Sequence, residues 1–240
     1  MSWRQSRHAG VGLALAAVLA VATIAWTLHR RALADALVRA EPTRLQRDGP
    51  LVRYALARAP SVYAANCASC HGADRHGDRR RGAADLADAS WVHGQGDVAG
   101  IESTILYGIR SGHPKAQGFK DMPALGRTHQ LTTEEVGDLV DHMLALSKQP
   151  HDAAAAARGR ALYASKGRCV ECHGADARGS TELGAPGLTG PAWLYGGDRD
   201  ALRASLEDGR HGLCPAWIHH LDYADIRALA VWLAAGAGER

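Results

Sequence analysis

Phenylalanine is nearly absent from this 240-residue chain, which has one, alongside six tryptophans and six tyrosines. A small module built from such residues is short of apolar bulk and must draw it from something other than side chains. Neither sign of charge dominates, with 28 basic against 25 acidic residues, and this excludes the basic field that nucleic-acid binding needs. Only three methionines and five cysteines are present. No cluster of catalytic acid and base groups and no set of copper ligands stands out, so no dioxygen chemistry is expected on this chain itself.

Four of the five cysteines fall in two copies of one pattern, Cys67-Ala-Ser-Cys70-His71 and Cys169-Val-Glu-Cys172-His173, with starts 102 residues apart (67 to 169). Thiols at this spacing add across the two vinyl groups of haem, and the adjacent histidine reaches the iron from the proximal side. The match continues as Cys-His-Gly-Ala-Asp at 70–74 and 172–176. A structural zinc site would want four ligands in one closed cluster, which two thiols and a neighbouring histidine cannot form alone. A thiol-disulfide pair would lack the trailing histidine and would sit among alternating strands and helices. The residues therefore predict two covalently bound haem c groups on Cys67, Cys70, Cys169 and Cys172, with His71 and His173 as axial ligands. Buried haem also supplies the missing apolar mass.

Residues 10–28 form a 19-residue stretch without charge, close to the ~30 Å of bilayer hydrocarbon at ~1.5 Å per residue. Arg4, Arg7 and His8 precede it and His29, Arg30 and Arg31 follow, so flanking charge gives no orientation. Covalent haem attachment, expected on the oxidising side of a bacterial inner membrane, places the N-terminus in the cytoplasm and both repeats in the periplasm. A cleaved signal peptide competes through the small-x-small run Ala20-Val21-Ala22, but it would leave a short apolar core, and a single-pass anchor is the better reading.

Beyond the anchor the pattern is helical. Thr132-Thr133-Glu134-Glu135 is a capping signal before Val136, Leu139, Val140 and Met143, and Asp222 to Asp225 precede Ile226, Leu229, Ala230 and Leu233. Pro42, Gly49-Pro50 and Pro60 read as breaks in a polar stalk. The expected fold is mainly α: an N-terminal transmembrane helix (1–31), a linker (32–59), and two tandem class I cytochrome c-like domains (60–149 and 150–240).

A second signature lies between the motifs. Residues 82–91, from Gly82-Ala83-Ala84-Asp85 to Trp91, align at the same offset with 184–193, from Gly184-Ala185-Pro186-Gly187 to Trp193. This resembles the haem-carrying subunit III of cbb3-type cytochrome c oxidases. Tyr107-Gly108-Ile109-Arg110-Ser111-Gly112-His113-Pro114 with Asp121-Met122-Pro123-Ala124 looks like that family's first domain, and Trp193-Leu194-Tyr195-Gly196-Gly197 with Gly209-Arg210-His211-Gly212 like its second. The resemblance spans roughly 60–237. It implies a membrane-tethered electron-entry subunit, partnered by the oxidase's catalytic and mono-haem subunits and fed by a periplasmic donor cytochrome.

Electron-transfer haems commonly take methionine opposite histidine, because a soft thioether raises the potential. Met122, on a loop before the last helix of the first repeat, is the expected sixth ligand of the first haem. The aligned segment in the second repeat is Leu213-Cys214-Pro215-Ala216, with Cys214 where the family has methionine. For the second haem, Cys214 as thiolate is preferred over His211, His219 or His220 and over an open site. Trp91 and Trp193 are candidates for contact with the haem edge and Arg110 and Arg210 for its propionates, each against an ordinary structural role. Arg79-Arg80-Arg81 reads as a solvated loop more readily than as a docking patch, and His93, His113, His129 and His151 receive no role. The alternatives are a freestanding membrane-anchored shuttle, and an enzyme of small sulfur compounds using a Cys-ligated haem.

Overall fold

A computed structural model describes residues 3–45, 49–118, 120–190 and 192–236. Among the described residues there are ten helices: α1 (Trp3–Arg39), α2 (Pro42–Leu45), α3 (Gly49–Asn66), α4 (Ala68–His71), α5 (Val98–Tyr107), α6 (Thr133–Leu146), α7 (Ala153–Ala164), α8 (Val170–His173), α9 (Arg199–Asp208) and α10 (Tyr223–Gly236). Among the described residues, β-pairing is confined to isolated bridges, in line with the mainly α expectation.

The helix starts follow local chemistry. Asp97, Asp152 and Asp198 each accept a hydrogen bond from the backbone N–H three residues on, capping α5, α7 and α9. Thr132 and Glu135 form the reciprocal capping box that opens α6.

The segment expected as a linker is instead folded structure. Helix α1 runs unbroken through Arg39, and its 37 residues reach about 55 Å, well beyond a ~30 Å hydrocarbon layer. Its apolar part, of mean hydropathy 1.8 over the span's best window, leaves Leu13, Leu15, Val18 and Leu19 exposed as a lipid-facing helix would. Its last turns bury Leu37 against Leu45, Leu51, Ala55 and Ala59. The prolines misled: Pro42 and Pro50 stand in the first turns of α2 and α3, where no N–H is needed. Pro60 lies inside α3, where it forfeits one backbone bond beside the buried Ala59 and Val62.

Nor are the sequential halves the packing units. Leu37, Leu51, Tyr63, Val98 and Ile101 from the N-terminal half share a core with Ala228, Leu229, Val231 and Leu233 of α10, the chain's final helix. The second core joins Val136, Leu139, Val140 and Met143 of α6 to Tyr163, Leu188, Leu202 and Leu206. Helix α6, which ends the first repeat, thus packs on α7 and α9, while α10 packs on α3, α5 and α1. Each repeat is closed by the other's last helix, so the expected domains 60–149 and 150–240 do not close on themselves.

Specific pairs enforce the exchange. Arg58 of α3 grips the Asp225 carboxylate of α10 with two nitrogens. Arg158 of α7 does the same to Asp138 of α6, at 2.6 and 2.9 Å. Arg199 of α9 holds Asp141 of α6 at 2.6 and 2.9 Å, which keeps that carboxyl below the usual range. At Gly159 a Cβ would lie 2.0 Å from the Asp138 carbonyl oxygen, so only glycine allows α7 this close to α6.

The deepest polar contact ties α10 to the anchor. Arg227 and Glu102, 5% and 4% exposed, approach to 2.7 Å, while Arg227 Nη1 donates to the carbonyls of Ala40 at 2.6 Å and Leu37 at 3.4 Å. Arg227 Nε and Glu102 Oε1 lack a well-directed hydrogen bond, so attraction at Nε is of charge more than of geometry. Arg227→Met should strand a buried carboxylate and the end of α1, lowering stability by about 3–5 kcal/mol. The double variant Glu102→Met/Arg227→Met should recover much of that loss in denaturant titrations of the full chain.

Candidate haem centres

Each Cys-x-x-Cys-His motif folds as one helical turn, α4 and α8, led by Cys67 and Cys169. Positions i, i+3 and i+4 share a helix face, so both thiols and the histidine of a motif come to the same side. Gly72 and Gly174, each at φ +77°, end the turns in a conformation that suits glycine. The hydroxyl of Tyr63 donates to the Gly72 carbonyl and that of Tyr163 to the Gly174 carbonyl, each at 2.7 Å. These two tyrosines were missed from sequence, although each stands a few residues before its motif.

The histidines are oriented alike. His71 Nδ1 lies 2.9 Å from the Ala84 carbonyl oxygen and His173 Nδ1 2.9 Å from that of Pro186. A carbonyl oxygen only accepts, so Nδ1 carries the proton and Nε2 presents its lone pair to a metal. Burial holds His173 below its ordinary pKa, which favours the neutral, ligating form. Burial also pushes the Cys67, Cys169 and Cys214 thiols up to about 11, unlike the low-pKa thiolate of a disulfide-exchanging pair. Two thiols and a pre-oriented imidazole on one face, repeated, fit covalent haem c in both places.

The sulfurs expected opposite these histidines are exchanged between repeats. Met122 packs against the core that holds Cys169, Val170 and Trp193. Its backbone pairs with Arg210 at 3.1 and 3.0 Å, and the residues that follow run along the end of α9, with Gly126 N–H donating to Leu206 O at 3.2 Å and Arg127 N–H to Glu207 O at 3.0 Å. Cys214 pairs with Ile109 at 2.9 and 3.0 Å, and Trp217 and Ile218 donate to the Ile105 and Leu106 carbonyls of α5. The Cys214 thiol lies near enough to those of Cys67 and Cys70 for their ionisations to oppose one another. The expectation of Met122 over the first motif and Cys214 over the second is therefore corrected: Met122 stands with the second and Cys214 with the first. The cause is the crossing of α6 and α10, since each sulfur sits on the loop feeding the exchanged helix.

The two pairings are near-symmetric. Gly108 and Gly209, at φ +74° and +70°, precede Ile109 and Arg210, and a Cβ on either would come within 2.4 Å of the Cys214 or Met122 carbonyl oxygen. His93 lies close over Gly184 and Tyr195 over Gly82, again linking opposite repeats. His93 is also mostly buried, with Nδ1 unpartnered; it had been given no role.

The remaining candidates are otherwise engaged. His211 Nδ1 sits 3.1 Å from Asp121, and His219 and His220 are exposed. Arg110 Nε donates to the Gly212 carbonyl at 2.6 Å, and Arg210 stacks 4.4 Å over the Tyr195 ring while bonding Ser205. Trp91 and Trp193 pack in the first and second cores, each close over a glycine, Gly96 and Gly197.

The family model described as "Cytochrome C oxidase, cbb3-type, subunit III" matches residues 55–143 and 154–233. The chain is 36% identical over 204 residues to cbb3-type cytochrome c oxidase subunit CcoP of Cereibacter sphaeroides, covering 85% of this chain and 69% of that protein. Identity to subunit FixP of a Bradyrhizobium species is 37% over 207 residues, 85% and 68% of the two chains. With subunit CcoP of Azospirillum brasilense it is 39% over 195 residues, 79% and 64%.

The exchange predicts an asymmetric optical signature. A Cys67→Ala/Cys70→Ala variant should keep the near-infrared band of ferric iron bound to methionine and lose it on adding Met122→Ala. A Cys169→Ala/Cys172→Ala variant should lack the band with Met122 intact.

Proposed function

The chain belongs to the family of cbb3-type cytochrome c oxidase subunit III, and from that membership we propose that it is the electron-entry chain of such an oxidase. It carries two covalently bound haem c groups and an apolar N-terminal helix fit to anchor it. In this reading it receives electrons from a periplasmic donor cytochrome and delivers them to the dioxygen-reducing subunit, beside a mono-haem subunit. Both centres lie outside a bacterial inner membrane that α1 crosses once, where haem c attachment takes place.

The observation that carries the proposal is the paired construction: two oriented imidazoles, two cross-supplied sulfurs and direct backbone bonds between their loops. When bound, each haem supplies one-electron exchange between ferric and ferrous iron. The residues do the rest. Cys67 and Cys70, and Cys169 and Cys172, hold the groups by thioether bonds, while His71 and His173 ligate through Nε2. Met122 would complete the centre on Cys169 and Cys172, and Cys214 that on Cys67 and Cys70. The paired loops would hold Met122 and Cys214 in place.

Met122 and Cys214 then tune the two centres apart. Cys214 would hold its iron as thiolate, which lowers a haem's potential, and Met122 would hold the other as thioether, which raises it. Cys214→Met should raise the lower of the two midpoint potentials by well over ~59 mV, the shift equal to one decade for a one-electron couple. It should also remove any thiolate-type low-spin signal from the ferric electron paramagnetic resonance spectrum.

Purification of the tagged chain from native membranes in mild detergent tests the assembly. A polytopic subunit with b-type haem and copper should copurify. Recovery of the chain alone with two haems c would instead favour the freestanding shuttle.

A further inference from the structure

We propose that the loop at residues 78–81 is the docking surface for a small one-electron carrier with an acidic contact face, so that electrons enter at the centre on Cys67, Cys70 and His71. This rests on the reading of the chain as a di-haem electron carrier and adds to it the point of entry and the chemistry of the partner.

The two repeats fold this loop alike. Asp78 bridges Ala83 in the first and Ser180 bridges Ala185 in the second, and both bridges sit directly after a motif. The side chains between differ completely: Arg79, Arg80 and Arg81 in one, Thr181, Glu182 and Leu183 in the other. A demand of the fold would act on both loops, so the arginines that hold nothing within this loop, Arg79 and Arg80, answer to something outside it.

Their placement says what. All three are exposed. Arg81 anchors the loop to the attachment turn, its Nη1 donating to the Ser69 carbonyl at 3.2 Å and its Nε lying 3.6 Å from Asp78. Among the described residues no carboxylate lies within the 4.0 Å of an ion pair from Arg79 or Arg80. The other charged groups nearby face one another: His76 Nδ1 is 2.9 Å from Asp85, the Asp74 carboxylate accepts from the His76 backbone, and Arg75 is turned inward, 4.7 Å over the Trp232 ring. Arg79 and Arg80 also line an open concavity of about 690 Å³ together with Ser69 and Cys70. Cys70 is itself exposed, whereas its counterpart Cys172 is half-buried. Two uncommitted guanidinium groups, weakly hydrated and shaped for carboxylates, thus stand beside the more exposed attachment point.

The step is outer-sphere. One electron leaves the reduced carrier, which is oxidised by one unit, and the iron over His71 goes from ferric to ferrous; no bond or proton changes hands. Steering by opposite charge raises the encounter rate and falls away as salt screens it.

The test uses the dithionite-reduced di-haem chain in nanodiscs of neutral lipid, with two probes that take electrons from it: oxidised mitochondrial cytochrome c, which is basic, and the same protein fully succinylated, which is acidic. Arg79→Glu/Arg80→Glu leaves Arg81 in place to hold the turn, and Arg178→Glu, on the second loop, is the control. At low ionic strength the double variant should slow electron transfer to the acidic probe about tenfold or more, with the difference closing as salt is added. It should also weaken binding of the oxidised acidic probe in calorimetric titration. The basic probe should not be slowed. Equal rates for parent and double variant, or an equal loss in Arg178→Glu, would overturn the docking site. So would an effect that appears only in discs of anionic lipid, which would make the loop a membrane contact. Because dithionite reduction and haem content are read on the same samples, an intact two-haem spectrum alongside a negative result rejects the docking site alone, and a chain without two reducible haems rejects the underlying reading.

Discussion

The crossed pairing of the two distal loops governs the rest of the molecule. Ile109 exchanges two backbone hydrogen bonds with Cys214, and Met122 exchanges two with Arg210. Each sulfur is therefore held by a backbone from the opposite repeat. Glycines at 108 and 209 are required because their positive φ and the approach of the facing carbonyl leave no room for a Cβ. With these four residues paired, α6 has nowhere to go but onto α7 and α9, and α10 onto α3 and α5. Neither loop can take up this position unless both repeats are in place.

A consequence concerns how the two centres can differ while sharing a scaffold. The proximal sides are nearly superimposable in chemistry: the same turn, the same Nδ1-to-carbonyl bond at 2.9 Å, the same tyrosine on the same glycine. Nothing there separates two potentials. Differences stand out at the distal sulfur, thioether on one loop and thiol on the other, and in the loop after each motif, tri-arginine in one and Thr-Glu-Leu in the other. In the proposed function, tuning and partner choice thus rest on side chains carried by a backbone framework that the two repeats share.

Much of this was legible in the residues. The attachment cysteines and proximal histidines follow from a spacing the porphyrin dictates, and the start of α6 from the pair Thr132 and Glu135. The exchange of ligands was not legible, for a physical reason. Periodicity reports that α6 and α10 each have an apolar face, but two similar repeats offer two similar grooves, and either pairing buries those faces equally well. What decides is a handful of long-range matches, such as Arg58 with Asp225, Gly159 under Asp138 and Arg227 with Glu102, and no local pattern announces them. The segment at 32–59 misled differently: its prolines resemble breaks, yet two of them occupy helix starts, where the missing N–H is no loss.

The topology also orders the events of folding. The unit around Cys67 is closed by the last helix of the chain, through contacts 167 residues apart at Arg58 and Asp225 and 190 apart at Leu37 and Arg227. The unit around Cys169 is closed by α6, which precedes it and needs only contacts such as Arg158 to Asp138, 20 residues apart. Long-range closure is entropically slow, and a chain emerging N-terminus first meets its local partners first. The turn bearing Cys67 and Cys70 accordingly stays uncovered until α10 arrives, leaving its thiols open to attachment longest. Arg227, bonded to the Ala40 and Leu37 carbonyls, adds to the apolar contacts of Leu37 in fixing this body to α1.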